Sequence, residues 1–127
     1  MTIEVVIIMF SFDEIGFMLD DVADSLPEEV FSELNGGVSL LQDTKISEEN
    51  LYVLGEYRRD QMGRYIVIYY GSICAVYPNL PETDMRIELK NVLTHELTHH
   101  LESMAGERWL EIEDELDLQE YRQSRIT

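Results

Sequence analysis

The chain has 127 residues, enough for one hydrophobic core and too few for two ordinary domains. Apolar residues make up 45%, and the single cysteine, Cys74, excludes an intramolecular disulfide. Twenty-six acids against nine bases give a net charge of −17, which disfavours nucleic acid and anionic membrane surfaces as partners, since both need clustered Lys and Arg.

Residues 1–10 are apolar but carry Glu4, lack a basic start and lack a small-residue cleavage site. They are read as a short strand or an appended leader, with residues 11–127 forming one domain and the cytoplasm as the default location. The segment Ser11-Phe12-Asp13-Glu14 has capping-box spacing. Behind it Ile15, Met18, Leu19 and Val22 recur at helical spacing, which predicts a helix ending near Ser25. Pro27, Glu28 and Glu29 suit a helix start, with Val30, Phe31 and Leu34 on the apolar side and Asn35-Gly36-Gly37 as the stop. Residues 38–41 read as a strand and 42–50 as a loop. Residues 51–57 read as a second strand with Gly55 as a bulge, and 58–63 as turn-like. Residues 64–70 form the strongest strand pattern, β-branched and aromatic, and pair with 51–57 as a hairpin. A weaker apolar run follows to Tyr77, with Cys74 read as a structural thiol inside it.

After the loop from Pro78 to Pro81, Thr83 or Asp84 caps a long predicted helix that ends near Met104, where Ala105-Gly106 breaks it. Ile87, Leu89, Val92, Leu93, Leu97 and Leu101 are its expected buried surface. The acidic remainder, 107–125, is expected to turn back and form one more short helix.

The long helix carries His95-Glu96-Leu97-Thr98-His99, the H-E-x-x-H pattern. Residues four apart on a helix lie one turn apart on one face, so His95 and His99 can offer two imidazoles to one metal ion. Only three histidines occur, and two of them fill this pattern. Zinc in a hydrolytic site takes three protein ligands and leaves a position to water. Glu96, beside the first ligand, is placed to take that water's proton and deliver it to a leaving amine. No histidine follows His100, so a third ligand is a carboxylate, a water or nothing. Glu102 lies on the same face at a distance better suited to orienting a ligand than to being one. The tail offers Glu107, Glu111, Glu113, Asp114, Glu115 and Glu120 without distinguishing among them. His100 is read as a structural histidine, with substrate contact as the alternative. Tyr57, Tyr69, Tyr70 and Tyr121 are each able to donate to an oxyanion, and Arg58 and Arg64 are read as solvated surface groups.

In this order of segments the chain resembles the minimal zincin-like metallopeptidases, small single-domain bacterial proteins. The resemblance runs from about Ser11 to Tyr121 and rests most on the histidine motif. It also draws on Asp24-Ser25-Leu26-Pro27-Glu28-Glu29, Leu54-Gly55-Glu56-Tyr57 and Ile66-Val67-Ile68-Tyr69. It implies a compact α+β zincin-like domain, a small twisted mixed sheet packed on helices, with H-E-x-x-H on a long helix. It implies zinc as cofactor and a peptide or protein as substrate. The family pattern continues H-x-x-G-x-x-D with the aspartate as third ligand, but here Glu102 and Ala105 stand at the glycine and aspartate positions. Residues 106–116 look like an insertion, at whose end Asp114-Glu115-Leu116 resumes the family ending. The resemblance therefore implies Asp114 as third ligand, with Glu107 and Glu111 in reserve. The alternative reading is a non-catalytic domain, zinc-binding or metal-free, that serves protein interaction. The substrate groove is expected along an edge strand, with 64–70 a candidate for that edge.

Overall fold

The computed structural model describes residues 9–126, with side chains described through Glu111. The segment read as strand or leader thus lies outside the described residues, apart from Met9 and Phe10.

Helix α1 spans Phe12–Asp24. The capping box is formed: the Glu14 N–H donates to Ser11 Oγ at 3.1 Å, and the Ser11 N–H donates to Glu14 Oε1 at 3.2 Å. Its buried face is the predicted set, Ile15, Met18, Leu19 and Val22. The expected second helix is only a single 3₁₀ turn, Glu28–Phe31. Glu33 takes a left-handed φ of 62° two residues later, which an α-helix does not accommodate.

Strand β1 is Val38–Leu41. The expected loop after it contains β2, Lys45–Ile46, which pairs antiparallel with β3, Tyr52–Val53. The predicted strand over 51–57 is split, and β4 runs Gly55–Asp60, through part of the expected turn. The turn is two residues long, and β5 begins at Gly63 and ends at Tyr69. Gly63 has φ +104°, and a Cβ there would lie 2.5 Å from the Asn35 amide. The β4–β5 hairpin is formed in the register Gly55 to Ile68 through Asp60 to Gly63. β5 also pairs with β1 in parallel, Val38 with Ile66. The sheet order is β1-β5-β4, so β5 is the central strand and not an edge. Its pattern is continuous rather than alternating because both faces are covered: Ile66, Val67, Ile68 and Tyr69 are all buried.

The apolar run after β5 is a helix, α2, Tyr70–Val76. It docks on the start of β2 through Ser72, whose Oγ donates to the Lys45 carbonyl and accepts from the Lys45 N–H. Gly71 is required there, since a Cβ would sit 2.0 Å from Thr44 Oγ1 and 2.9 Å from the Thr44 nitrogen. Cys74 is half-buried on this helix.

Helix α3 runs without interruption over Glu82–Ile126, so Ala105-Gly106 does not end it. A glycine inside a helix costs only about 1 kcal/mol against alanine. Directly after it, Glu107 is held by Arg59 and Arg64 of the β4–β5 hairpin, which favours the straight course. The core stripe of α3 is Met85, Leu89, Leu93 and Leu97, every fourth residue, with Val92 half-buried beside it. Ile87 and Leu101, expected inside, are 52% and 44% exposed. The core cluster joins this stripe to α1, to Leu34 and to Ile66, Ile68 and Ile73. The fold is α+β, with a small mixed sheet and helices. Among the described residues, no helix is long and apolar enough to cross a membrane.

Candidate metal centre

The core stripe of α3 fixes where its histidines go. With Leu93 and Leu97 inward, His95 and His99 fall on the solvent side of the helix, one turn apart. Thr94 and Thr98 do not compete with them, because each hydroxyl donates back to a helix carbonyl: Thr94 to Lys90 at 2.6 Å and Thr98 to Thr94 at 2.8 Å. The two Nε2 atoms converge to 3.2 Å. Two imidazoles bound to one tetrahedral zinc, at about 2.0–2.1 Å each, would hold their nitrogens roughly 3.3 Å apart. The pair therefore already has the bite such an ion requires. One ligand atom each of His95, Glu96 and His99 lie within 4.8 Å of one another.

Glu96 differs from both histidines in burial, being only 6% exposed. Burial pushes its carboxyl above the usual range, opposed by His95, His99 and the Tyr57 backbone N–H. That N–H belongs to the open edge of the sheet. In an antiparallel ladder, alternate residues spend their backbone groups on the partner strand. The Tyr69 N–H donates to the Leu54 carbonyl, and the two-residue turn closes on Asp60 and Gly63. The ladder bonds therefore fall at even positions, leaving the backbone groups of Gly55, Tyr57 and Arg59 on the free edge, toward α3. Gly55 lets strand and helix approach: a Cβ there would lie 3.2 Å from Val92 Cγ1 and 3.0 Å from Ile68 Cδ1. Its place in the strand reflects this contact and not a bulge.

His100 is wholly buried, and both ring nitrogens are engaged. Nε2 lies 2.8 Å from the Ser32 carbonyl, which only accepts, so Nε2 carries a proton. In the neutral ring Nδ1 then accepts from the Tyr57 hydroxyl at 3.0 Å. His100 thus joins the 3₁₀ segment, α3 and the edge strand, which is the structural role. Tyr57 spends its hydroxyl there. Tyr69 donates to Glu56 and Tyr70 to the Phe10 carbonyl, so none of these three hydroxyls stands free at the histidine pair. Tyr121 lies outside the described side chains.

Arg64 is not a solvated surface group, and Arg58, with a side chain 42% exposed, is paired. Arg58 bonds to Glu56 and to the Tyr69 hydroxyl. Burial raises the Glu56 carboxyl, but bonds from Lys45, Tyr69 and Arg58 outweigh it and hold it below the usual range. Arg64, with a side chain only 17% exposed, bonds to Glu107 and to Met104 Sδ.

The carboxylates considered for a third ligand are placed unevenly. Glu102 lies 3.9 Å from His99 Nδ1, where it can orient that ring. Glu107 is held by Arg59 and Arg64, about 12 Å along the axis from His99. Glu111 is exposed, a turn further on. Asp114 stands on the same unbroken helix, nineteen positions after His95 and so about 28 Å along the axis, and its side chain lies outside the described residues. The reversal of chain direction that was to bring it back does not occur at Gly106.

Two clefts flank the histidine pair and meet at Gly55 and Glu96. One, of about 610 Å³, is lined by Glu56, Tyr57, His99, Glu102 and Ser103. The other, of about 380 Å³, is lined by Val53, Leu54, Val92, His95, Tyr77 and Glu88. Tyr77 and Glu88 carry no motif, and only the fold brings them here. Gly55 was the one sequence signal of a close approach.

No protein-family model matches this chain, and no curated protein does. Among solved structures it is similar to a conserved hypothetical protein from Thermo thermophilus. The TM-score is 0.64 at 29% identity, covering 76% of this chain and 99% of that one. The likeness extends to essentially all of that protein and supports a shared α+β fold.

Proposed function

We propose that this chain is a zinc-dependent peptidase of the cytoplasm, built as a compact zincin-like domain. The observation that carries the reading is the convergence of His95 Nε2 and His99 Nε2 at 3.2 Å beside the buried carboxylate of Glu96, under the free edge of β4. His95 and His99 would hold the ion, with a carboxylate completing the set; Asp114 keeps that role only if the helix reverses. Zinc, when bound, polarises a carbonyl and lowers the pKa of a water toward about 7.

The remaining steps fall to the chain. An extended peptide pairs with the open backbone groups of Gly55 and Arg59 and with the Tyr57 carbonyl, the Tyr57 N–H being spent on Glu96, which sets its carbonyl over the histidine face. Glu96 takes the proton of the attacking water at its carboxylate and passes it to the leaving amine nitrogen. Burial favours that proton transfer by making the carboxylate more basic, while the Tyr57 N–H keeps it oriented. His100 and Tyr57 hold the edge strand at a fixed height above the helix.

A metal assay with a Glu96→Gln comparison tests the reading. The protein should carry about one zinc per chain. Glu96→Gln should keep metal and fold while losing about 10²–10⁴-fold in peptide hydrolysis. A second reading, a non-catalytic zinc-binding or metal-free interaction domain, is favoured by one observation. Among the described residues, only Glu96 joins the two histidines in a group able to hold a metal. Equal inertness of wild type and Glu96→Gln over a broad peptide library would select it.

A further inference from the structure

The smaller cleft beside His95 has an unusual division of chemistry. Val53, Leu54 and Val92 give it apolar walls, and Glu88 stands at the end away from the histidine pair. Glu88, His95 and Glu102 are spaced by seven, so they lie along one face of α3. The Glu88 carboxylate is held in place: its Oε2 accepts from the Tyr77 hydroxyl at 2.9 Å. Tyr77 is half-buried and remains a proton donor, its hydroxyl raised by burial and by Glu88. Among the described residues no ion pair involves Glu88, so its charge is balanced by no cation.

The larger cleft differs. Its Glu56 is already matched by Lys45 and Arg58. Its Glu102 has a side chain 71% exposed, that of a solvated surface group.

We propose that the Val53–Leu54–Val92 slot ending in Glu88 is a specificity pocket for a lysine or arginine side chain of the peptide cut at the histidine pair. This rests on the peptidase reading for the cut, but not for the binding. A lysine or arginine buries its methylene stem against apolar walls while its charged head meets a carboxylate, which is what this slot offers. A short aliphatic side chain would leave Glu88 facing the slot unmatched, and an acidic one would be repelled. Glu88 lies about 10 Å along the helix from His95, some three residues of extended chain. The residue read is therefore within about three positions of the bond cut.

The test uses the full chain and three peptides that differ at one position, Lys, norleucine or Glu. Binding is measured by fluorescence anisotropy on zinc-treated Glu96→Gln protein, and cleavage on zinc-treated wild type. The expected result is about a fivefold preference for Lys over norleucine, the size of one partly exposed ion pair. Glu88→Gln should bring the ratio to about one, and Glu88→Lys should turn the preference toward the Glu peptide. Circular dichroism confirms that both variants fold. If no peptide is cut yet the Lys preference in binding holds and follows Glu88, the pocket stands while the peptidase reading falls. If peptides are cut without a Lys preference, the pocket is overturned and the peptidase stands. Failure of all three peptides to bind overturns the pocket as well.

Discussion

Three histidines lie within six residues of α3 in opposite surroundings, one buried and two exposed, which stability measurements can separate. His100 is 0% exposed and bonds to the Ser32 carbonyl and the Tyr57 hydroxyl. His100→Ala removes two hydrogen bonds at about 1 kcal/mol each and leaves a cavity where an imidazole packed, for a total loss of about 2–4 kcal/mol. His95 and His99 have side chains 70% and 51% exposed, with only each other and neighbouring carboxylates nearby. Replacing either by alanine should change the stability of metal-free protein by less than about 0.5 kcal/mol. Zinc brings the exposed pair to a comparable loss. An ion that binds only the folded state at a hundred times its Kd adds about 2.7 kcal/mol, and His95→Ala and His99→Ala should forfeit that gain. The assay is urea unfolding of wild type and the three single variants, first in chelator and then with excess zinc. If His100→Ala matches His95→Ala in chelator within about 0.5 kcal/mol, the structural role of His100 is refuted. If zinc stabilises His95→Ala as much as wild type, the metal site has been placed wrongly.

Other perturbations probe separate parts of the argument. The His95→Ala, His99→Ala double variant should carry no zinc after purification without chelator, where elemental analysis of wild type finds about one ion per chain. Gly55→Val should destabilise by about 1–3 kcal/mol, because its side chain is driven into Val92 and Ile68; calorimetry reads the loss. The Glu107 carboxyl is held below the usual range, first by Arg64 and then also by Arg59. Its contribution is therefore present above the unfolded carboxylate value of about 4.3 and lost as the pH falls through the lower folded value. The stability difference between wild type and Glu107→Gln should accordingly be visible at neutral pH, shrink on acidification below that point, and shrink in high salt.

What the sequence made legible was whatever depends on neighbours along the chain. The Ser11–Glu14 box, the β-branched and aromatic run from Arg64 and the turn-spaced pair His95 and His99 are all short-range patterns, and each is found in place. What depends on distant partners was not legible. β-propensity marks residues 64–70 as strand but does not say that Val38–Leu41 will pair along the other side, which makes β5 central and leaves β4 as the edge over the histidines. Gly71 and Ser72 look like loop residues until Thr44 and Lys45 are seen against them. Gly106 looks like a stop, yet Arg59 and Arg64, more than forty residues earlier, hold the very next side chain and favour a straight helix. That last contact bears on chemistry. Two imidazoles alone bind zinc weakly, and a straight α3 carries every later carboxylate away from them at about 1.5 Å per residue. A third ligand from the tail therefore requires the Glu107 contacts to be given up. Metal affinity and the pairing of Glu107 with Arg59 and Arg64 should then oppose each other: Glu107→Ala tightens zinc binding if the tail supplies the ligand. If the ion is completed instead by Glu96, by water or by a substrate, Glu107→Ala leaves the affinity unchanged. Zinc titration of the two proteins by calorimetry decides between these cases, and with it whether the straight helix is the metal-bound form or the form that metal must bend.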